Sequence, residues 1–444
     1  MPHDLPPAAR CSSRSRRTHR LRAGTRSPLV SWLLSAGLRI CCIGLLCPTL
    51  ITPASGEQPG TWGGRIQVID GLTHVYNPAT PLLAPLTVPL EPVWSRGGDD
   101  EEDELFGRLV DATRDEVGNI YLLDEQMHQV LVYSPEGELL GTMGREGEGP
   151  GEFQRPRSVF LVPGGLVGVA EMMPARIIQF HSDGVPAGEV ALDFLNPEGG
   201  GRLMLSAATS GASRLIIEVA HRRRSEGIRS TDLTLAAISH EGNLVCTYLR
   251  RHDQEPEDHI LITDRNLTFE RGGWTLLADG RLCARLQREA YEIGVFSADG
   301  SLERIIHRKG LSPLKRTQEE LEELEERSVQ IRGGRHRRRT IRMDFAPTKP
   351  MILALQTGPE NQLWVRTCRH AQDLPEGILE RIEVFDGAGR FKQELLIQTG
   401  RPLKPARSFY VGHHLILFGA GMGIPAGEEE GLPGVSCYRM LLGP

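Results

Sequence analysis

Asp124 and Glu171 are two acidic residues whose type and spacing invite a chemical reading. Each closes an apolar run, Ile120-Tyr121-Leu122-Leu123 in one case and Leu166-Val167-Gly168-Val169-Ala170 in the other. Each stands six residues after a glycine, Gly118 or Gly165, that is followed 19 residues later by a second glycine, Gly137 or Gly184. Carboxylates repeated at one strand end could line a channel and bind a cation. The simpler reading, which we prefer, is that each accepts hydrogen bonds from local backbone N–H groups or from a neighbour such as Arg176.

Other motifs fall short of known chemistry. The run Gly144 to Gly151 contains neither G-x-G-x-x-G nor the Lys-Ser/Thr ending of a phosphate loop, and Pro150 and Pro156 discourage a following helix. His240-Glu241-Gly242 begins like a zinc-protease motif and lacks the second histidine. No serine stands in a G-x-S-x-G elbow. His413 and His414 point to opposite faces if they lie on a strand, so the two cannot share one ion from it. No metal-ligand set is assigned. The cofactor is left open, a divalent cation such as Ca²⁺ being the candidate, because the acidic run Asp99 to Glu104 could hold one loosely.

Basic clusters supply the binding candidates. Arg332, Arg335, Arg337, Arg338, Arg339 and Arg342 crowd one stretch, and His221-Arg222-Arg223-Arg224 form a second. Such runs are usually solvated, and Glu319 to Glu326 could neutralise the first. If binding is the role, Arg337, Arg338 and Arg339 are the expected contacts, because a basic patch on an acidic body steers an anionic partner to one place.

The body is acidic indeed. The 444 residues carry a net charge of −6, but residues 1–55 hold eight arginines against one aspartate, a net +7, which leaves −13 for the rest. That balance argues against nucleic acid as the main partner. With 50 Gly, 30 Pro and few aromatic residues, the composition suits turn-rich all-β structure.

Residues 1–55 read as a leader. Arginines from Arg10 to Arg26 precede an apolar stretch, Leu29 to Leu50, and small residues Thr52, Pro53, Ala54 and Ser55 follow. The stretch is nearly long enough to be an uncleaved anchor, which Arg39 opposes. Lipidation at Cys47 is opposed by the bulky Leu45 and Leu46 before it. The expected location is therefore periplasmic or extracellular, with membrane contact only through an uncleaved or lipidated leader. The long basic region leaves room for a true start downstream of Met1. Beyond the leader only Cys246, Cys283, Cys368 and Cys437 remain. They allow three pairings, are too few for a disulfide framework, contain no C-x-x-C, and read as buried strand residues.

Repeats organise the rest. Gly118 to Gly137 and Gly165 to Gly184 share one pattern of turn, apolar strand, polar gap, apolar strand and turn. Weaker copies end at Gly242, Gly300 and Gly387, and Tyr410 to Phe418 makes an incomplete sixth. Units of this length with glycine turns predict propeller blades rather than a β-sandwich. A ring of blades must close, and the orphan run Leu86 to Trp94 is the expected donor of the closing strand. Ser312-Pro313 and Thr317-Gln318-Glu319-Glu320 are helix-start signals, with Leu321 and Leu324 as a narrow apolar stripe. The expected organisation is a leader at 1–55, a link at 56–84 and an all-β six-bladed β-propeller at 85–444 carrying one charged helical insertion at 311–346.

Gly144-Arg145-Glu146-Gly147-Glu148-Gly149-Pro150-Gly151-Glu152-Phe153 with Pro156 resembles the inter-blade signature of NHL-repeat proteins, and residues 75–444 resemble the bacterial, commonly exported six-bladed propellers of that group. The resemblance is sharp in the first two blades and transfers no active site. It implies a binding or scaffold protein, monomeric, with a protein, peptide or glycan ligand. The alternative is a propeller hydrolase or lyase, lactonase-like, with a divalent metal in the central tunnel. Three or more Asp, Glu, Asn or His side chains converging at a tunnel mouth would favour the enzyme.

Overall fold

The computed structural model describes residues 61–98, 105–192, 195, 200–257, 259–270, 272–332, 340–400, 403–420 and 432–443. The leader, the acidic run 99–104 and Arg337, Arg338 and Arg339 lie outside the described residues.

Alternation of side chains along each strand explains how the sheets stack. In Ile120–Asp124 all five residues are buried. Ile120 and Leu122 pack with Val411, Ile416 and Val435 near the end of the chain, whereas Tyr121 and Leu123 pack with Val159, Val169 and Ile178 of the next sheet. Period-2 geometry sends successive residues to opposite faces, so a strand buried on both faces reads as an unbroken apolar run. Leu215 and Ile217 likewise join the core shared with the preceding sheet, and Ile216 joins the core shared with the following one.

The sheets are four-stranded antiparallel meanders in chain order. The first comprises Leu109–Arg114, Ile120–Asp124, Gln129–Tyr133 and Leu139–Met143. Meanders of the same kind span 156–191, 202–256, 274–308 and 352–398. The last sheet takes Arg407–Val411, His414–Ala420 and Pro433–Met440, and its fourth strand is Leu86–Gly97. This is the expected closing strand. Its first residues also pair in parallel with Phe391–Gln398 of the fifth meander. Apolar cores lie between consecutive sheets, and one, containing Trp94, Leu109, Tyr133, Ile416 and Val435, lies between the last sheet and the first. Four-stranded antiparallel sheets stacked face to face into a closed ring form a β-propeller.

The outermost turns follow one plan. Gly137, Gly184, Gly242 and Gly300 all have positive φ and donate their N–H to the carbonyl three residues back, at 2.9–3.1 Å. The expected fifth marker, Gly387, is displaced. There the turn runs Asp386-Gly387-Ala388-Gly389, and Gly389, at φ +82°, takes the left-handed position and bonds Asp386 O at 2.8 Å.

One further departure from expectation concerns the segment before the propeller. The stretch read as a link contains the strands Arg65–Ile69 and Leu72–Asn77, which extend the fourth meander by pairing of Leu72–Asn77 with Leu302–Arg308. Asn77, fully buried, fixes them by donating to Gly389 O and accepting from Phe391 N–H. The insertion forms the helix Gln318–Arg332, opened by the expected capping box: Glu320 N–H donates to Thr317 Oγ1 (3.1 Å) and Thr317 N–H to Glu320 Oε2 (3.0 Å). Glu320, Leu321 and Leu324 are half-buried among its described side chains. Among the described residues no helix is long and apolar enough to cross a membrane.

Candidate functional site at the tunnel mouth

Connections in a meander alternate between the two ends of the sheets, so the loops sort themselves. At one end lie the short first-to-second strand turns, including 115–118, 163–165, 211–214 and 277–280; turns of all four sheets line a cavity of about 910 Å³ there. Two of its charged side chains, Asp115 and Arg214, are committed to the fold. Asp115 accepts from Gly118 N, Asn119 and Tyr121, and Arg214 donates to Gly280 O and Ala298 O. At the other end emerge the sheet-to-sheet connections and the long loops, among them the helical insertion and the hairpin extension around 221–230. Departures from the repeat are therefore concentrated at one rim.

The innermost strands enclose a tunnel of about 460 Å³ lined by residues of all the sheets, including Asp111, Thr113, Thr209, Gln356 and Thr357. Asp111 accepts from Ala112 N–H (3.0 Å) and from Val159 N–H of the neighbouring sheet (2.9 Å). Burial pushes its pKa up to about 7 against those bonds. Among the described residues no group of three or more His, Cys, Asp or Glu side chains is placed to hold a metal ion.

Three arginines meet at the elaborated mouth. Arg108 precedes the innermost strand of the first sheet, Arg157 lies at the start of that of the second, and Arg407 begins that of the last. Arg108 and Arg157 both reach Glu125, at 2.7 and 3.2 Å. Arg407 has no hydrogen-bond or ion-pair partner among the described residues. Burial lowers its pKa, and the charges of Arg108 and Arg157 add to that effect while Glu125 opposes it. Among the described residues one carboxylate stands among the three guanidinium groups, an excess of positive charge at this mouth.

Arg407 also lines a cavity of about 400 Å³ with Arg366, His370, Glu380 and Ser408. Arg366 lies against Glu380 (Nε to Oε2, 2.7 Å) and donates from Nη2 to Glu380 Oε1 (2.8 Å) and Ser408 Oγ (2.9 Å). Tyr410 donates its hydroxyl to Glu380 Oε1 at 2.6 Å. Burial lifts Tyr410 well above its ordinary value, so the phenol stays protonated. His370 Nδ1 faces Thr367 O at 3.0 Å. A carbonyl only accepts, so Nδ1 carries the proton and Nε2 keeps its lone pair. Burial lowers the His370 pKa below that of a free imidazole.

The residues singled out by sequence have other duties. Asp124 accepts from Gly107, Arg108, Gln126 and Met127 N–H groups at 2.7–3.0 Å. Glu171 accepts from Gln154 N–H and from Arg176 Nε, both at 2.8 Å. Both are fully buried, as the simpler reading expects. In the fourth sheet the same strand end carries Arg285, fully buried, which serves the opposite partners by donating to the carbonyls of Thr268, Glu270 and Ile352. The glycine run holds its own anion. Glu152 accepts from Gly149 N–H and Arg145 Nε, and a Cβ on Gly147 would fall 2.6 Å from its carboxyl carbon. The four cysteines are free thiols, three of them buried and Cys246 half-buried.

Sequence reasoning missed Arg108, Arg157, His370 and Arg407. Two of them carry a signal: Arg157-Ser158-Val159-Phe160 and Arg407-Ser408-Phe409-Tyr410 are matching starts of innermost strands. His370 sits in a loop outside the repeat and carries none.

No protein-family model and no curated protein sequence matches the chain. Solved structures do. A member of the DUF4221 family from Bacteroides vulgatus shares 12% identity over 80% of this chain and 98% of its own, with a TM-score of 0.44. A virginiamycin B lyase from Staphylococcus aureus shares 10% over 78% and 98%, with a TM-score of 0.39. A luciferin-regenerating enzyme shares 12% over 80% and 95%, also at 0.39.

Proposed function

We propose that this chain is an exported, monomeric six-bladed β-propeller that binds its ligand at the elaborated end of the tunnel. The observation that carries the reading is the convergence of Arg108, Arg157 and Arg407 at that mouth, where Arg407 has no hydrogen-bond or ion-pair partner among the described residues. Three guanidinium groups at one mouth repel one another and attract an anion that can lie among them. The blade count rests on the succession of four-stranded sheets, and export rests on residues 1–55. Hydrogen–deuterium exchange during titration with mixed anionic glycans and peptides tests the placement. Protection should appear at 105–108, 155–157 and 403–407. Protection confined to the turns 115–118, 163–165 and 277–280 would reverse it.

A hydrolase or lyase is the second reading, favoured by one feature: a cavity is lined by the His370 imidazole, whose Nδ1 is held by Thr367 O. Turnover of any ester or glycan substrate that disappears in His370→Ala would establish it.

A further inference from the structure

The cavity of Arg407, His370 and Ser408 carries more information than charge alone. This inference rests on the rim-binding reading and specifies its ligand. Among the described residues Arg407 offers guanidinium donors with no partner of their own. His370 Nε2 offers a lone pair, because Nδ1 is committed as donor to Thr367 O. Ser408 Oγ already accepts from Arg366, so its own hydrogen is free for another acceptor. Glu380, the carboxylate that lines this cavity, is occupied by Arg366 and Tyr410, and Glu125, which acts on Arg407, is held by Arg108 and Arg157.

Each of these groups asks for a different partner. The guanidinium fork suits a planar carboxylate, which it can grip through two parallel bonds. An imidazole lone pair asks for a hydrogen-bond donor. A sulfate dianion offers acceptors only, and its oxygens would face that lone pair across the cavity. A hydroxyl next to a carboxylate satisfies both, donating to His370 while accepting from Ser408. The cavity, about 400 Å³, is large enough for one or two sugar-sized units.

We propose that this cavity is the binding site for a hydroxylated carboxylate, with Arg407 holding the carboxylate and His370 and Ser408 holding a hydroxyl of the same molecule. Two sources share that chemistry, a sugar acid and a small hydroxy acid.

The test is calorimetric titration of the full chain with D-galacturonate, L-malate, D-galactose, acetate and sulfate. Either hydroxylated carboxylate should bind at least about tenfold more tightly than galactose, acetate or sulfate, the usual scale for a charge-assisted contact. The tighter of the two identifies the source. Arg407→Ala should weaken that binding about tenfold or more, and His370→Ala several-fold, with the thermal midpoint of Arg407→Ala unchanged because the side chain is exposed and has no ion-pair partner among the described residues. Sulfate or acetate binding as tightly as the hydroxylated acids overturns the ligand class and leaves the rim reading in place. Hydroxy-acid binding that survives Arg407→Ala overturns the placement. If none of the five probes binds, the proposal fails, while exchange protection at the rim by a larger ligand would still support the broader reading.

Discussion

Gly137 leaves no room for a side chain over Trp94: a Cβ there would stand 2.7 Å from the Trp94 Cβ and 2.8 Å from its Cδ1. Gly137 turns the outer hairpin of the first sheet, and Trp94 belongs to the strand that completes the last. The Trp94 ring stacks on Tyr133 at 5.2 Å, and Arg96 Nε donates to Gly137 O at 2.8 Å. The seam that closes the ring is thus packed to contact on both sides.

Gly137→Ala should lower unfolding stability by roughly 2–4 kcal/mol, combining the left-handed backbone at φ +85° with overpacking against the indole. Urea denaturation measures it. A loss below ~0.5 kcal/mol, the size of an ordinary surface change, would show that the seam yields without strain.

Asp124→Ala removes a fully buried carboxylate that accepts from four backbone N–H groups of the surrounding, partly exposed loops. The expected loss is about 3 kcal/mol, since four amides lose one acceptor at once. Asp124→Ala unfolding at the wild-type urea midpoint would mean that the loop re-satisfies its amides with water.

Glu218 predicts a pH dependence. Its carboxyl accepts from Trp274 Nε1 at 2.8 Å, and burial pushes its pKa from 4.5 up to about 7. A carboxyl raised on folding favours the folded state below its unfolded pKa, and that contribution is lost as pH climbs from about 4.5 through 7. Glu218→Gln keeps an acceptor for Trp274 and has no proton to lose. It should be more stable than wild type at pH 8 by an amount on the order of 1–3 kcal/mol, with the gain shrinking toward pH 4. Equal gains at both pH values would locate the effect in packing instead.

Asp264 anchors the insertion. It accepts from Arg288 (2.7 Å), Arg316 (2.6 Å) and Ala346 N–H (2.9 Å). Burial works to raise its pKa, but those bonds outweigh it and hold the carboxyl low. Asp264→Ala strands two buried guanidinium groups, a change worth about 3–5 kcal/mol where one partner of a buried pair is deleted. Exchange of the amides in Gln318–Arg332 should accelerate before the propeller sheets open. Unchanged exchange there would detach the helix from this anchor.

What the sequence made legible follows from which features repeat. Gly137 and Gly184, with Asp124 and Glu171 at the same strand ends, recur because the first two blades share one turn and an amide acceptor at one place; period and packing are local, and local patterns can be read. The closing strand at Leu86 was legible for a related reason, as an apolar run without a neighbour of its own. The strands Arg65–Ile69 and Leu72–Asn77 were not, since they form only by adding to the edge of Leu302–Arg308, far away in the chain. The displaced turn at Gly389 shows the cost of matching glycines by eye when two stand close together. Arg108, Arg157 and Arg407 come from sheets one, two and six, and His370 from the fifth. Their meeting is a product of ring closure, which spacing along the chain does not encode.

The strand Leu86–Gly97 has its partners at Phe391–Gln398 and Pro433–Met440. During synthesis it leaves the ribosome some three hundred residues before the first of them, and contacts of such long sequence separation form late. A nascent chain can build its first sheets one after another, yet it must hold an unpaired, apolar strand in waiting until Phe391–Gln398 and Pro433–Met440 have been made. The tunnel mouth inherits the same delay, because Arg407 joins Arg108 and Arg157 only when that last sheet locks into place.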